Sequence, residues 1–214
     1  MTDPAPRAGL TGVPANFIVA GRRCVVVGAG RVAARKIAPL LDAGADVVVV
    51  APQASEKVRA WAREGRVEWH ERPFEPSDLD GTWLAFTATG VSEVDAAVFD
   101  AAQDRRVWLN SADDPANCSF TLVSVVRRGD IVVTIGTNGR SPALAAYLKE
   151  RFSAELGPEY EVLLGMLSEE REQMRAGGRS SEDADWQRAL DFGILDLIRN
   201  GREAEARELL RSCL

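Results

Sequence analysis

Six consecutive residues, Gly28-Ala29-Gly30-Arg31-Val32-Ala33, concentrate the chemistry of this 214-residue sequence. Two glycines separated by one residue permit a tight turn whose backbone, bare of Cβ atoms, lets a bulky anion come close. A helix starting just after them would aim its first N–H groups, which have no partner inside the helix, at the same point, with the positive end of the helix dipole behind them. Ala33 is small enough to let that helix lie close on a strand. This is the chemistry of a pyrophosphate cradle, though the string by itself also describes a glycine turn that merely packs.

The surrounding elements favour the cradle. Cys24 to Val27 is an apolar, β-branched run without polar alternation, which predicts a strand buried on both faces. Val32 to Ala43 carries Ile37, Leu40 and Leu41 at helical spacing before Gly44, and Asp46 to Val50 is a second buried strand. The order continues with a helix from Ser55 to Glu64, strands at Val67 to His70 and Trp83 to Thr87, a helix from Ser92 to Asp104 and a strand at Val107 to Asn110. Strands alternating with helices predict an α/β fold, a Rossmann-like doubly wound parallel sheet, over residues 1–113. The place after the second strand where such sheets often carry an acidic residue for the adenine ribose reads Ala51-Pro52-Gln53, leaving Gln53 or backbone groups to hold it.

Beyond residue 113 the pattern changes. Ser119 to Val126 and Asp130 to Ile135 are strand-like runs joined by Arg127-Arg128-Gly129, a hairpin within a small module at 114–145. Ser141-Pro142 opens a helix with a capping residue and a proline at its first position, and Leu144, Leu148, Phe152 and Leu156 stripe it. Tyr160 to Ala176, Ser181 to Phe192 and Glu203 to Leu214 complete a helical domain at 146–214. The loop Gly136-Thr137-Asn138-Gly139-Arg140-Ser141 enters a helix N-terminus and suits an anion. Arg127, Arg128, Arg140, Lys149 and Arg151 outnumber Asp130 and Glu150 between 127 and 151. A solvated turn and helix face would account for the same charges.

Composition limits the function classes. A formal net charge of −6 argues against a general nucleic-acid binder, which depends on neutralising phosphates. Cys24, Cys118 and Cys213 are odd in number and form no C-x-x-C or Cys/His pattern, so a reducing compartment and no metal site are expected. No run reaches the roughly 18 apolar residues of a membrane helix, and the N-terminus lacks a signal-peptide layout; a cytoplasmic location is expected. His70, the single histidine, and the tryptophans at 61, 69, 83 and 108 read as structural.

Four blocks in order, FIVAGRRCVVVGAGRVAARKIAPLLDAGADVVVVAP, WLAFTATG, LNSADDPANCSF and IGTNGRSPALA, resemble the precorrin-2 dehydrogenase and sirohydrochlorin ferrochelatase family, the front end of siroheme synthases. The resemblance implies NAD-dependent oxidation of precorrin-2 to sirohydrochlorin, in some members followed by Fe2+ insertion. It also implies a homodimer with the substrate cleft near the subunit contact. The family's catalytic aspartate falls on Asp113, just past a strand end, where a carboxylate would accept a proton as hydride leaves a neighbouring carbon. Asp113 also suits a turn in Asp113-Asp114-Pro115.

The family's dinucleotide contacts fall on Arg31 and Val32, beside Gly28 and Gly30, and on Pro52 and Gln53. Thr137 occupies a position where some members have serine, in the loop that includes Asn138, Gly139, Arg140 and Ser141. With Arg127 and Arg128, this loop is expected to meet the carboxylates of a tetrapyrrole, since guanidinium groups pair carboxylates bidentately. A different reading of the same residues, a non-catalytic NAD(H)-sensing regulatory dimer, explains the glycine motif and helical tail equally well but needs neither Asp113 nor the basic loop.

Overall fold

Val25, Val26 and Val27 have at most 2% of their surface exposed, so the strand that carries them must be covered on both faces. Each such side chain contributes about 1.5–3 kcal/mol by leaving water. The computed structural model, which describes residues 12–112, 114–180, 182 and 184–214, supplies that cover. β1 (Arg23–Val27) lies between β2 (Asp46–Val50) and β4 (Leu84–Thr87), with β3 (Glu68–His70) and β5 (Trp108–Ser111) at the edges. All pairings are parallel, in the order β3-β2-β1-β4-β5.

Alternate residues of each strand face opposite layers. Cys24, Val26, Val47, Val49 and Phe86 pack with Ile37 of α1 (Arg31–Asp42) and Val58 and Trp61 of α2 (Glu56–Arg63). On the other face Val25, Val48, Ala85 and Leu109 pack with Leu79, from the short 3₁₀ turn Pro76–Leu79, and with Val98 and Ala102 of α3 (Ser92–Arg105). This is the doubly wound parallel sheet expected from the apolar runs.

The chain divides into two compact units, and the sheet belongs to Gly12–Leu122. Its last segment runs beside β5: Ser119 N–H donates to the Leu109 carbonyl at 2.7 Å and Asn110 Nδ2 to that of Phe120 at 3.0 Å. This covers part of an edge that would otherwise expose unpaired backbone. The strand expected from Ser119 therefore begins only at Ser124.

Within Val123–Leu214, β6 (Ser124–Arg128) and β7 (Ile131–Ile135) form an antiparallel hairpin. Arg127 and Arg128 are strand residues paired with Val132 and Ile131, not part of the connection as expected. The turn is Gly129-Asp130, with Gly129 at φ +53°, a conformation that suits glycine. Val126, Val133 and Ile135 pack on Ala145, Leu148 and Leu156 beside α4 (Pro142–Glu155). The expected stripe is half right: Leu148 and Leu156 pack, whereas Leu144 and Phe152 are exposed, because the hairpin covers the line through Ala145 instead.

α5 (Glu159–Ala176), α6 (Trp186–Asp191), α7 (Ile194–Arg199) and α8 (Glu203–Cys213) enclose another core around Met166, Ile194 and Leu210. Gly193, at φ +80°, separates α6 from α7. Trp61 and Trp69 pack as expected, but Trp83 and Trp108 are each 51% exposed: Trp83 stands just before β4 and Trp108 begins β5, at the sheet's N-terminal rim. Among the described residues no helix is long and apolar enough to cross a membrane.

Candidate functional site

The turn between β1 and α1 is held by its neighbours. Gly28 N–H donates to the Val50 carbonyl and Ala88 N–H to that of Val27, each at 2.9 Å, while the Ala29 carbonyl accepts the Ser55 N–H at 2.9 Å. Gly28 has φ +103°, and a Cβ there would meet the Ala88 carbonyl oxygen, so this glycine is required by packing. Gly30 differs. A Cβ there would meet nothing within 4 Å. Gly30 caps α1 without a side-chain bond, and the first turn carries no acidic residue. The N–H groups of Arg31, Val32 and Ala33 accordingly have no intrahelical acceptor, and they face a region with positive helix-end potential. Such a cradle fits a dinucleotide's pyrophosphate.

A cavity of about 400 Å³ adjoins this turn. Gly28, Gly30, Ala51, Pro52 and Gln53 line one side, and Phe74, Thr89 and Val91 another. Its walls are mostly apolar, carry neither acidic nor basic side chains, and suit a flat base. Gln53 and Pro52 are exposed at the rim.

The loop that carries Phe74 contains an ion pair whose partners flank that residue in sequence. Arg72 donates to both carboxylate oxygens of Asp78, at 2.5 and 2.9 Å, and to the Pro73 carbonyl at 3.0 Å. Burial pushes the Asp78 carboxyl upward, but the bonded Arg72 guanidinium and the Glu75 N–H outweigh it and hold the group below the ordinary carboxylate range. His70 belongs to this network, 2.7 Å from Glu68 through Nε2 and 3.8 Å from Asp78 through Nδ1.

A second cavity, about 360 Å³, lies past the ends of β4 and β5 and is bordered by Val32, Ala88, Ser92, Asp95, Ala112 and Asp114. Val32 thus faces this cavity rather than the first. Asp113 lies outside the described residues. Its neighbour Asp114 is engaged in the turn, accepting from Asn117 Nδ2 at 2.7 Å. Cys118 donates to the carbonyls of Ser111 and Asp114 and accepts from the Ser111 N–H, and burial raises its thiol pKa. This thiol is structural. Lys36 Nζ donates to Asn110 Oδ1 at 3.1 Å, tying α1 to β5. Sequence reasoning overlooked Asp95, whose carboxylate accepts from Thr87 and Thr89; the signal was a Thr-x-Thr at a strand end with an acid in the next helical turn.

In the other unit, Thr137 Oγ1 accepts the Ser141 N–H at 3.2 Å and donates to the Ser141 carbonyl at 3.1 Å. Ser141 Oγ caps α4 by accepting from Leu144 N–H at 3.2 Å. Both hydroxyls thus serve the loop itself. Asn138 and Gly139, at φ +51° and +74°, form a consecutive left-handed pair in a turn closed by the Arg140 N–H donating to the Thr137 carbonyl at 3.0 Å. Arg128 is anchored to the Leu156 carbonyl at 2.9 Å. Arg127 and Arg140 are exposed, and their side chains make no hydrogen bond or ion pair among the described residues.

A parallel sheet with a bare glycine cradle at its first crossover defines a dinucleotide-binding domain. Residues 16–124 match the family described as "Putative NAD(P)-binding", and the chain belongs to that family. Siroheme synthase of Nitrosococcus oceani is 33% identical over 205 residues, covering 94% of this chain and 44% of that protein. Siroheme synthase 3 of Aeromonas hydrophila subsp. hydrophila is 35% identical over 191 residues, covering 88% of this chain and 41% of its own length. The chain therefore spans less than half the length of these relatives. The solved structure of SirC, precorrin-2 dehydrogenase, superposes with a TM-score of 0.71 over 94% of this chain and 98% of that one. At 23% identity this shows a shared fold.

Proposed function

We propose that the chain is an NAD-dependent precorrin-2 dehydrogenase, converting precorrin-2 to sirohydrochlorin. The observation that carries this reading is Gly30, whose missing side chain leaves open space against the unpaired N–H groups of α1 rather than room for a neighbour. The relatives named siroheme synthase and the near-complete overlap with a precorrin-2 dehydrogenase support the substrate.

The α1 N-terminus, with Arg31 and Val32 contributing backbone groups, holds the pyrophosphate, and Pro52 and Gln53 border the adenine ribose. The dinucleotide proposed is NAD, the cofactor that the family resemblance implies. Bound NAD+ supplies a hydride acceptor. Asp113, following the strand whose end borders the second cavity, takes the proton released as the macrocycle loses its hydride, so the two electrons leave with hydride and the charge balances. Arg127, Arg140 and the 137–141 loop meet the substrate's carboxylates.

A homodimer is part of the proposal. Val132, Leu144 and Tyr147 are exposed on the hairpin and α4, and a two-stranded hairpin gains stability from a partner surface. The location proposed is the cytoplasm.

The test is spectrophotometric: purified chain, NAD+ and enzymatically made precorrin-2 should yield sirohydrochlorin and NADH in equal amounts. NAD+ binding without turnover would favour the regulatory dimer instead. Adding Fe2+ to the product reveals whether this chain also inserts metal as a substrate.

A further inference from the structure

We propose that Asp95 receives the vicinal hydroxyls of the ribose that carries the nicotinamide, an inference that rests on the dinucleotide reading above. Asp95 sits in the first turn of α3, where the helix end favours a negative charge. Its Oδ1 accepts from the hydroxyl of Thr87, which is wholly buried, and from that of Thr89 at 2.7 Å. Thr89 is itself fixed, since its hydroxyl accepts the Val91 N–H at 3.0 Å. The carboxylate is therefore locked in one orientation. No hydrogen bond or ion pair reaches Oδ2 among the described residues, and Asp95 borders the 360 Å³ cavity.

The order of strands places this acceptor along the path of a dinucleotide. The cradle follows β1, the first cavity runs from the end of β2 across to Ala88 and Thr89 after β4, and the second cavity continues from Ala88 past the ends of β4 and β5. A pyrophosphate on the cradle has one ribose attached to each phosphate, so the ribose opposite adenosine arrives first at the end of β4. Asp95 is bonded there to the two threonines flanking Ala88. A half-buried carboxylate with a spare oxygen calls for hydrogen-bond donors, and two adjacent hydroxyls provide them. The ring beyond that ribose is then directed toward the β5 end, where Asp113 follows.

Calorimetric titration with ADP, ADP-ribose and NAD+ tests this without turnover, because ADP-ribose differs from ADP by the ribose in question. Wild-type protein should bind ADP-ribose more tightly than ADP. Asp95→Ala should bind ADP unchanged while losing about 10- to 100-fold for ADP-ribose and NAD+, the scale of hydrogen bonds to a charged group. Asp95→Asn, which keeps an acceptor for buried Thr87, guards against misfolding and should show an intermediate loss on the same two ligands. Wild-type binding of ADP-ribose no tighter than ADP, or unchanged ADP-ribose affinity in both variants, would overturn the proposal. Equal losses for ADP and ADP-ribose in both variants would do so too, by assigning Asp95 to the shape of the loop. Wild-type protein that binds none of the three ligands would instead overturn the cofactor reading itself.

Discussion

Gly28 and Ala88 approach so closely that a Cβ on the glycine would stand 2.5 Å from the Ala88 carbonyl oxygen. Gly30, two residues on, has no such neighbour. The two glycines must therefore fail in different ways. Gly28→Ala should lower stability by about 2–4 kcal/mol, combining left-handed backbone strain with a clash against main chain. Gly30→Val should stay folded, losing about 1 kcal/mol at a helix cap, yet weaken NAD+ binding at least 100-fold. Urea denaturation beside calorimetric titration separates the two; a Gly30→Val protein with wild-type affinity would remove the cradle.

Asp113→Ala should keep NAD+ affinity within a few fold and lower precorrin-2 oxidation by about 10²-fold or more, the usual scale for a positioned base. Single-turnover absorbance measurements give the rate. Full activity in the folded variant would assign this aspartate to the turn alone.

The Arg72–Asp78 pair sets an acid limit. The folded-state pKa of Asp78 lies below its unfolded value of roughly 4. The unfolded chain therefore takes up the proton first as pH falls, and the stabilisation, complete above that value, is lost as pH drops through the folded pKa. Asp78→Asn should reduce stability at pH 7 and show a shallower loss than wild type as pH falls below roughly 4. Thermal melts across that range check the slope, and identical slopes would contradict the pairing.

Leu144 and Tyr147, 48% and 56% exposed on α4, should be covered in a homodimer. Sedimentation velocity at micromolar concentration should show a dimer for wild type and a monomer for Leu144→Asp/Tyr147→Asp, since a charge buried without a partner costs several kcal/mol. A monomeric wild type would contradict the assembly.

The β1-α1-β2 unit was legible in the sequence because strands buried on both faces leave uninterrupted apolar runs, as Val25 to Val27 and Val47 to Val50 do. The hairpin was less so. Arg127 and Arg128 read as a connection by polarity, but one side of a two-stranded sheet tolerates charge and Gly129-Asp130 suffices for the turn. Leu144 and Phe152 share a stripe with Leu148, and periodicity cannot say which line of a helix a narrow hairpin covers. Asp95 was overlooked although Thr87-Ala88-Thr89 at a strand end hinted at it, because its fixed orientation depends on both threonines being brought to it by the turn between β4 and α3.

The glycine turn is bonded to Val50 on one side, to Ser55 on another, and lies against Ala88 on a third. It is a rigid mould rather than a flap. Ligand entry then orders little chain, and less of the binding free energy is offset by lost conformational entropy. Association should follow simple one-step kinetics, its rate set by diffusion into an open groove and not by a prior rearrangement of the loop.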